Sequence, residues 1–264
     1  MEIEIDLHKS VDENAGIYFD LSKKAKKKLE GAKAALADSK KKLAELQKQE
    51  SKFWEEEEKK RLEKEAKAAR PKEWYEKFHW FISSEGYLCI GGKDATTNEI
   101  IIKKHLDKDD LVFHTEMSGS PFFVIKDGQK ASDITLNEAA QAAAIYSRAW
   151  KGGYTQAEVF SVLPEQVSKE ARSGEFIAKG SFMVYGKKTS YQPKLECAIG
   201  LIEEKLIVGG PVSAVQKQTA HYYIIIPGHE KKSELGKKLI RLLKGGDLDD
   251  IIKFLPGEGE IKKR

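Results

Sequence analysis

The chain reads as an α+β protein, a helical coiled-coil arm followed by a mixed-sheet α/β domain. Three observations carry that reading. Residues 20–70 hold most of the excess charge and no proline, with apolar residues at helical spacing. After Pro71 the pattern changes to short apolar runs punctuated by glycine. An alanine-rich stretch from Asn137 then offers a small-residue face for packing a helix on a sheet. The boundaries follow: residues 1–71 are a short strand and the arm, 72–256 the domain, and 257–264 a flexible tail.

Taken in order, Glu2–Leu7 alternates acidic and apolar residues, as a short strand with Ile3, Ile5 and Leu7 on one face does. Ser10 or Asp12 then offers a helix N-cap. A heptad runs through Tyr18, Ala25, Ala32, Ser39, Leu46 and Phe53, with Ser22, Leu29, Leu36 and Leu43 at the second seam position. The seam fails where Glu50 and Glu57 take the leucine positions. Two arrangements satisfy this pattern. One is a single rod of roughly 80–90 Å at 1.5 Å per residue. The other, preferred because it buries its own seam, is an antiparallel hairpin bending near Gln47–Phe53, although neither glycine nor proline marks the bend. Past Pro71, strands are expected at Tyr87–Ile90, Leu111–His114, Phe122–Lys126, Ala157–Val162, Phe182–Tyr185, Leu195–Glu203, Lys205–Val208 and Tyr222–Ile226. Helices are expected at Asn98–Leu106, Leu136–Trp150, Ser233–Leu243 and Leu248–Phe254. The aromatics Trp74, Trp80 and Phe81 read as a collar seating the arm on the domain.

The totals exclude several classes. Of 264 residues 33% are charged, with a net charge of +4 that favours anionic partners. No apolar run approaches the roughly 18 residues of a membrane span, and the acidic start MEIEIDLHKS lacks the form of a signal peptide. A cytoplasmic protein without a membrane partner is expected. The two cysteines, Cys89 and Cys197, stand alone in apolar runs, as buried free thiols do. The six histidines do not cluster in sequence. Neither G-x-S-x-G nor H-E-x-x-H occurs, and the glycines of Gly180–Lys188 are spaced wrongly for a phosphate-binding P-loop. No catalytic residue, metal or cofactor is assigned.

Features suited to anions remain. Gly91, Gly92 and Lys93 lead into a helix start near Thr97-Asn98, where free backbone amides can receive a phosphate. Lys103 and Lys104 extend that helix, and Gly186-Lys187-Lys188 reads as a turn presenting two lysines. An ordinary capped turn and a solubilising turn would use the same residues. On the arm, Lys24, Lys27, Lys28 and Lys41 belong to a lysine-rich stretch with few acids, which is either a solvated face or a phosphate contact surface. The loop from His114 through Gly119 to Pro121 is too polar for core and too long for a minimal hairpin.

The blocks WYEKFHWFISSEGYLCIGGKDATTNEIIIKKHL, DLVFHTEMSGSPFFVIK and SFMVYGKK resemble the NFACT-R domain of the NFACT family of ribosome quality-control factors, and IDLHKSVDENAGIYFD resembles the coiled-coil arm preceding it. The resemblance covers roughly residues 3–190 and fades toward the end. It implies a non-enzymatic protein that binds RNA and the large ribosomal subunit in rescue of stalled translation, with ribosomal RNA and tRNA as partners. It also implies that Lys93, Lys103, Lys104, Lys187, Lys188, His114, Gly119, Gly91, Gly92 and the arm lysines form the RNA contact. The family's NFACT-N and helix-hairpin-helix portions are not in this sequence, so a separate NFACT-N-like polypeptide, or a stand-alone role, is expected. Family members carry Asp-Leu/Ile-His-Gly-Ala where this chain has Glu116-Met117-Ser118-Gly119-Ser120. Any role of that family histidine does not transfer to Ser118. A nucleic-acid module without a ribosomal role is the alternative.

Overall fold

The computed structural model describes residues 3–68, 73–117, 119–168, 182–203 and 206–263. It divides into two units, Met1–Lys72 and Glu73–Arg264.

The first unit is dominated by one helix, α1 (Val11–Ala68), of 58 residues, or about 87 Å at 1.5 Å per residue. Its composition of Ala, Lys, Glu and Leu explains the length, since these residues lose least on entering a helix. Ser10 caps it: Ser10 Oγ accepts from Glu13 N at 3.2 Å and Glu13 Oε2 accepts from Ser10 N at 2.8 Å. The expected hairpin is not present. The helix runs without a break through Gln47–Phe53, because no residue there interrupts the backbone ladder, and Leu29, Leu36, Leu43, Leu46 and Phe53 stay exposed along it. Nor is the strand expected at the start formed. Residues 3–6 have no regular structure, and Ile3, Ile5 and Leu7 are exposed. Asn14 instead claims this segment, accepting from Asp6 N at 2.9 Å and donating to Asp6 O at 3.0 Å, while Tyr18 Oη donates to Glu4 O at 2.6 Å.

The second unit begins with a short 3-10 turn, Trp74–Lys77. There follow β1 (His79–Ile82), β2 (Leu88–Gly91), α2 (Ala95–Lys104), β3 (Leu111–Thr115), β4 (Phe123–Ile125), α3 (Asp133–Ile145) and α4 (Arg148–Lys151). The chain continues with β5 (Val159–Val162), β6 (Val167–Ser168), β7 (Met183–Val184), β8 (Thr189–Tyr191), β9 (Cys197–Ile202) and β10 (Leu206–Gly210). It closes with α5 (Val212–Gln218), β11 (Tyr222–Glu230), α6 (Lys232–Leu243), α7 (Leu248–Phe254) and β12 (Gly259–Ile261). One antiparallel sheet runs β1-β2-β4-β3-β5-β8, a second β10-β9-β11-β12.

Period-two alternation gives the first sheet two apolar faces. Cys89, Phe113, Phe123, Ile125 and Val159 point to the alanine face of α3, in a core that continues into the second sheet through Cys197, Ile199 and Ile225. Ile90, Val112, Val124, Phe160 and Val162 point the other way, onto Ile101 of α2 and Phe78. Buried Ala139, Ala140, Ala142, Ala143 and Ala144 let α3 lie close on the sheet.

Several boundaries depart from the sequence pattern. β1 lies inside the aromatic run and pairs with β2 from His79↔Gly91 to Ile82↔Leu88. Its aromatics are used within the domain: Phe81 is core, Trp80 meets Tyr75 and Phe254 edge-on, and Trp74 stacks on His105 at 4.4 Å. The helix expected over Leu136–Trp150 is two helices, because Ser147 Oγ turns back to cap α4 by accepting from Ala149 N at 3.1 Å. The tail expected to fray carries β12, which pairs with β11 through Ile225↔Ile261 and Pro227↔Gly259. The strand expected at Lys205–Val208 is β10, with Lys205 itself outside the described residues.

Candidate nucleic-acid interface

At one end of the first sheet the start of β1, the exits of β2 and β3 and the approach to β4 converge. They enclose a cavity of about 290 Å³ lined by residues that include His79, Lys93, Asn98, His114, Gly119 and Phe182. The register dictates this meeting. His79 pairs with Gly91 and Gly91 with Phe123, which in turn pairs with Phe113 beside His114.

Two glycines make the convergence possible. A Cβ on Gly91 would enter the Phe123 ring, and one on Gly92 would strike Asn98 Oδ1. The Phe122 peptide is clamped between these loops: Gly92 N donates to Phe122 O at 3.2 Å, and Phe122 N donates to Asn98 Oδ1 at 3.1 Å. Asp94 caps α2 by accepting from Thr97 N at 2.7 Å, a bond that holds its carboxyl below the usual range.

His79 stacks on Tyr146 at 3.8 Å, and burial, with Lys93 and Lys232 nearby, pushes its pKa down to about 3. The ring is therefore neutral at pH 7. His114 stacks on Phe122 at 4.0 Å and bonds Pro121 O through Nδ1 at 2.9 Å. Burial lowers its pKa too, against the opposing influence of the Pro121 bond and Glu116. Lys93 has its pKa lowered by burial and then by Lys253, while Asp94 opposes. Among the described residues no carboxylate lies within ion-pair distance of the Lys93 ammonium. Arg148, the first residue of α4, lays its guanidinium over Gly119: a Cβ there would meet Nη2 at 2.9 Å and Nε at 3.0 Å. Gly119 has φ of 79°, a region that glycine alone enters freely.

The residues singled out in the sequence thus separate into groups. Gly92, Lys93, His114 and Gly119 share the cavity, and Gly91 supports it from the end of β2. Lys103 and Lys104 sit at the opposite end of α2, about 13 Å along the axis, and Lys103 pairs with Glu99 at 2.7 Å. Lys187 is exposed on its turn. Lys188 is engaged, 2.8 Å from Glu116 and over the Phe160 ring at 4.1 Å. Lys24, Lys27, Lys28 and Lys41 are exposed on α1, the first three at neighbouring positions of one face. Ser118 lies outside the described residues. Sequence reasoning missed His79, Asn98, Tyr146 and Arg148. His79 opens β1 inside the aromatic run, where residues of both faces look alike, and Arg148 reaches the loop only through the Ser147 break.

Among the described residues no group of three or more His, Cys, Asp or Glu is placed to hold a metal ion, and no helix is long and apolar enough to cross a membrane. Both cysteines are free and buried, and burial pushes the Cys197 thiol up to about 12 and that of Cys89 well above its ordinary value.

Residues 77–186 match the family model described as NFACT protein RNA binding domain. The archaeal Rqc2 homolog aRqcH of Methanocaldococcus jannaschii is 40% identical over 211 residues, covering 77% of this chain and 31% of that protein. The ribosome quality control complex subunit NEMF homolog of Drosophila melanogaster is 36% identical over 205 residues, 75% of this chain and 20% of the relative. The human ribosome quality control complex subunit NEMF is 44% identical over 127 residues, 47% of this chain and 12% of its own length. The chain thus spans a third or less of the curated relatives it matches. Over the part it does span, the chain is homologous to the NEMF/Rqc2 family of ribosome quality-control proteins and carries an NFACT-R RNA-binding domain.

Proposed function

We propose that this chain binds RNA on the large ribosomal subunit and acts, as a binding protein rather than an enzyme, in the handling of stalled translation in the cytoplasm. The observation that carries the reading is the extent of the homology, 40% identity across 211 residues to an archaeal Rqc2 homolog. The cavity supports it from the physical side. Lys93 lines it and the Arg148 guanidinium lies over Gly119 of its lining, each without an ion-pair partner among the described residues, so both are available to a phosphate. The exposed lysines of α1 and Lys187 are further phosphate contacts in this reading, and a separate NFACT-N-like polypeptide is its partner for recruiting tRNA.

Co-sedimentation of the purified chain with large ribosomal subunits over a series of salt concentrations tests it. Binding should fall linearly on a log–log plot, and the double variant Lys93→Gln/Arg148→Gln should flatten the slope by about 0.7, the share of the one phosphate that both cations meet on single-stranded RNA. Sedimentation that ignores salt, or no sedimentation at low salt, would overturn the reading.

A further inference from the structure

Hydrogen-bonding capacity in the cavity is lopsided. Pro121 O, a carbonyl, can only accept, so the His114 Nδ1 at 2.9 Å carries the ring proton. With the ring neutral, Nε2 is a bare acceptor. No described residue donates to it, no described side-chain polar atom is both buried and without a partner, and His114 is among the residues that line the cavity, which leaves Nε2 available to a ligand there. Nearby stand two cations, Lys93 on the wall and Arg148 over Gly119, neither with an ion-pair partner among the described residues. Asp94 is the single acid among the described lining residues, and its Oδ1 accepts from Thr97 N and Thr97 Oγ1 at 2.7 and 2.9 Å.

A ligand that satisfies this arrangement offers negative oxygens to the cations and a donor to Nε2. A carboxylate, or a phosphodiester without a neighbouring hydroxyl, fails the second condition, since its oxygens would face a lone pair. A phosphodiester with a neighbouring ribose 2′-hydroxyl meets both, and a deoxyribose does not. At about 290 Å³ the space lies at the small end of ligand sites and admits one such unit, not a duplex.

We infer that the cavity holds one unpaired ribonucleotide unit of a single-stranded RNA, its phosphate against Lys93 and Arg148 and its 2′-hydroxyl donating to His114 Nε2. The inference rests on the RNA-binding reading above and adds the residue that tells RNA from DNA. His114→Phe keeps the ring stack on Phe122 and removes the acceptor.

The test measures fluorescence anisotropy of labelled oligouridylate, its 2′-O-methyl form and oligodeoxyuridylate of equal length. The unaltered protein should prefer oligouridylate to both of the others by about fivefold, the worth of one hydrogen bond near 1 kcal/mol. His114→Phe should abolish that preference by weakening oligouridylate binding about fivefold more than oligodeoxyuridylate binding, whereas Lys93→Gln should weaken RNA and DNA alike. In the unaltered protein, the ¹⁵N resonance of His114 Nε2 should shift with oligouridylate and stay fixed with the deoxy polymer, a readout independent of whether the variant folds. Equal affinity for the polymers, an equal loss of both in His114→Phe, or subunit binding without oligouridylate binding overturns the assignment and leaves the RNA reading standing. Failure to bind either oligouridylate or large subunits overturns both.

Discussion

Replacing Lys126 by methionine strips a buried carboxylate of its counter-charge. Lys126 Nζ lies 2.6 Å from Asp110 Oδ2, 2.6 Å from Asp107 Oδ2 and 2.7 Å from His105 O, and the Asp110 side chain is 1% exposed. Burial disfavours the ammonium, but the bonds to Asp107 and Asp110 outweigh it and the lysine pKa is raised. Asp110 keeps two backbone donors in the variant, Asp107 N at 2.8 Å and Asp127 N at 2.9 Å. That places the loss at the low end of the 3–5 kcal/mol typical of a broken buried pair, about 3 kcal/mol. In a unit the size of Glu73–Arg264, this corresponds to a fall in Tm of about 6–12 °C. Scanning calorimetry of the full chain at pH 7 would measure it. The drop should persist in high salt, because the pair is shielded from solvent. Adding Asp110→Asn should restore more than half of it, since the stranded charge is then gone. A Tm within about 2 °C of the unaltered protein would refute the reasoning that the Lys126 ammonium compensates the buried Asp110 carboxylate.

The remaining predictions concern the cavity walls. Gly92→Ala would drive a Cβ into Asn98 Oδ1 and to 2.9 Å from Asn98 N. It should cost about 1–3 kcal/mol in urea unfolding, and an unchanged midpoint would show that the loop yields. The His79 pKa, about 3 in the fold against 6.5 ordinarily, means that the unfolded chain takes up a proton that the folded one refuses. This share of stability is complete above pH 6.5 and shrinks as pH falls, by about 1–2 kcal/mol at pH 5. His114 and His105 act in the same direction, so the test is the difference His79→Gln makes. Urea midpoints of that variant should fall less between pH 7 and pH 5, and an identical slope would remove His79 from the account.

Much of this was legible in the residues, for reasons that can be named. Helix-forming composition without a breaker gave α1 its length, and only the bend was misjudged, because a failing seam was weighed above an uninterrupted backbone. Alternation found β3, β9 and β10 but not β1, whose aromatic residues of both faces look alike in sequence. Gly92-Lys93 and His114–Gly119 stood out as separate features. That they face one another depends on the pairing His79↔Gly91↔Phe123, a non-local register that no local pattern encodes. Arg148 was hidden by a single serine that prefers to cap a new helix rather than continue the old one.

The origin of the cavity walls bears on when the site can exist. Its lining runs from His79 to Phe182, segments separated by about a hundred residues, and none of them forms a wall alone. A nascent chain emerging from a ribosome would have its lysine-rich helix long before it had this site. The pocket therefore needs the chain through Phe182, and a chain cut short of it would keep the charge of its helix without this cavity.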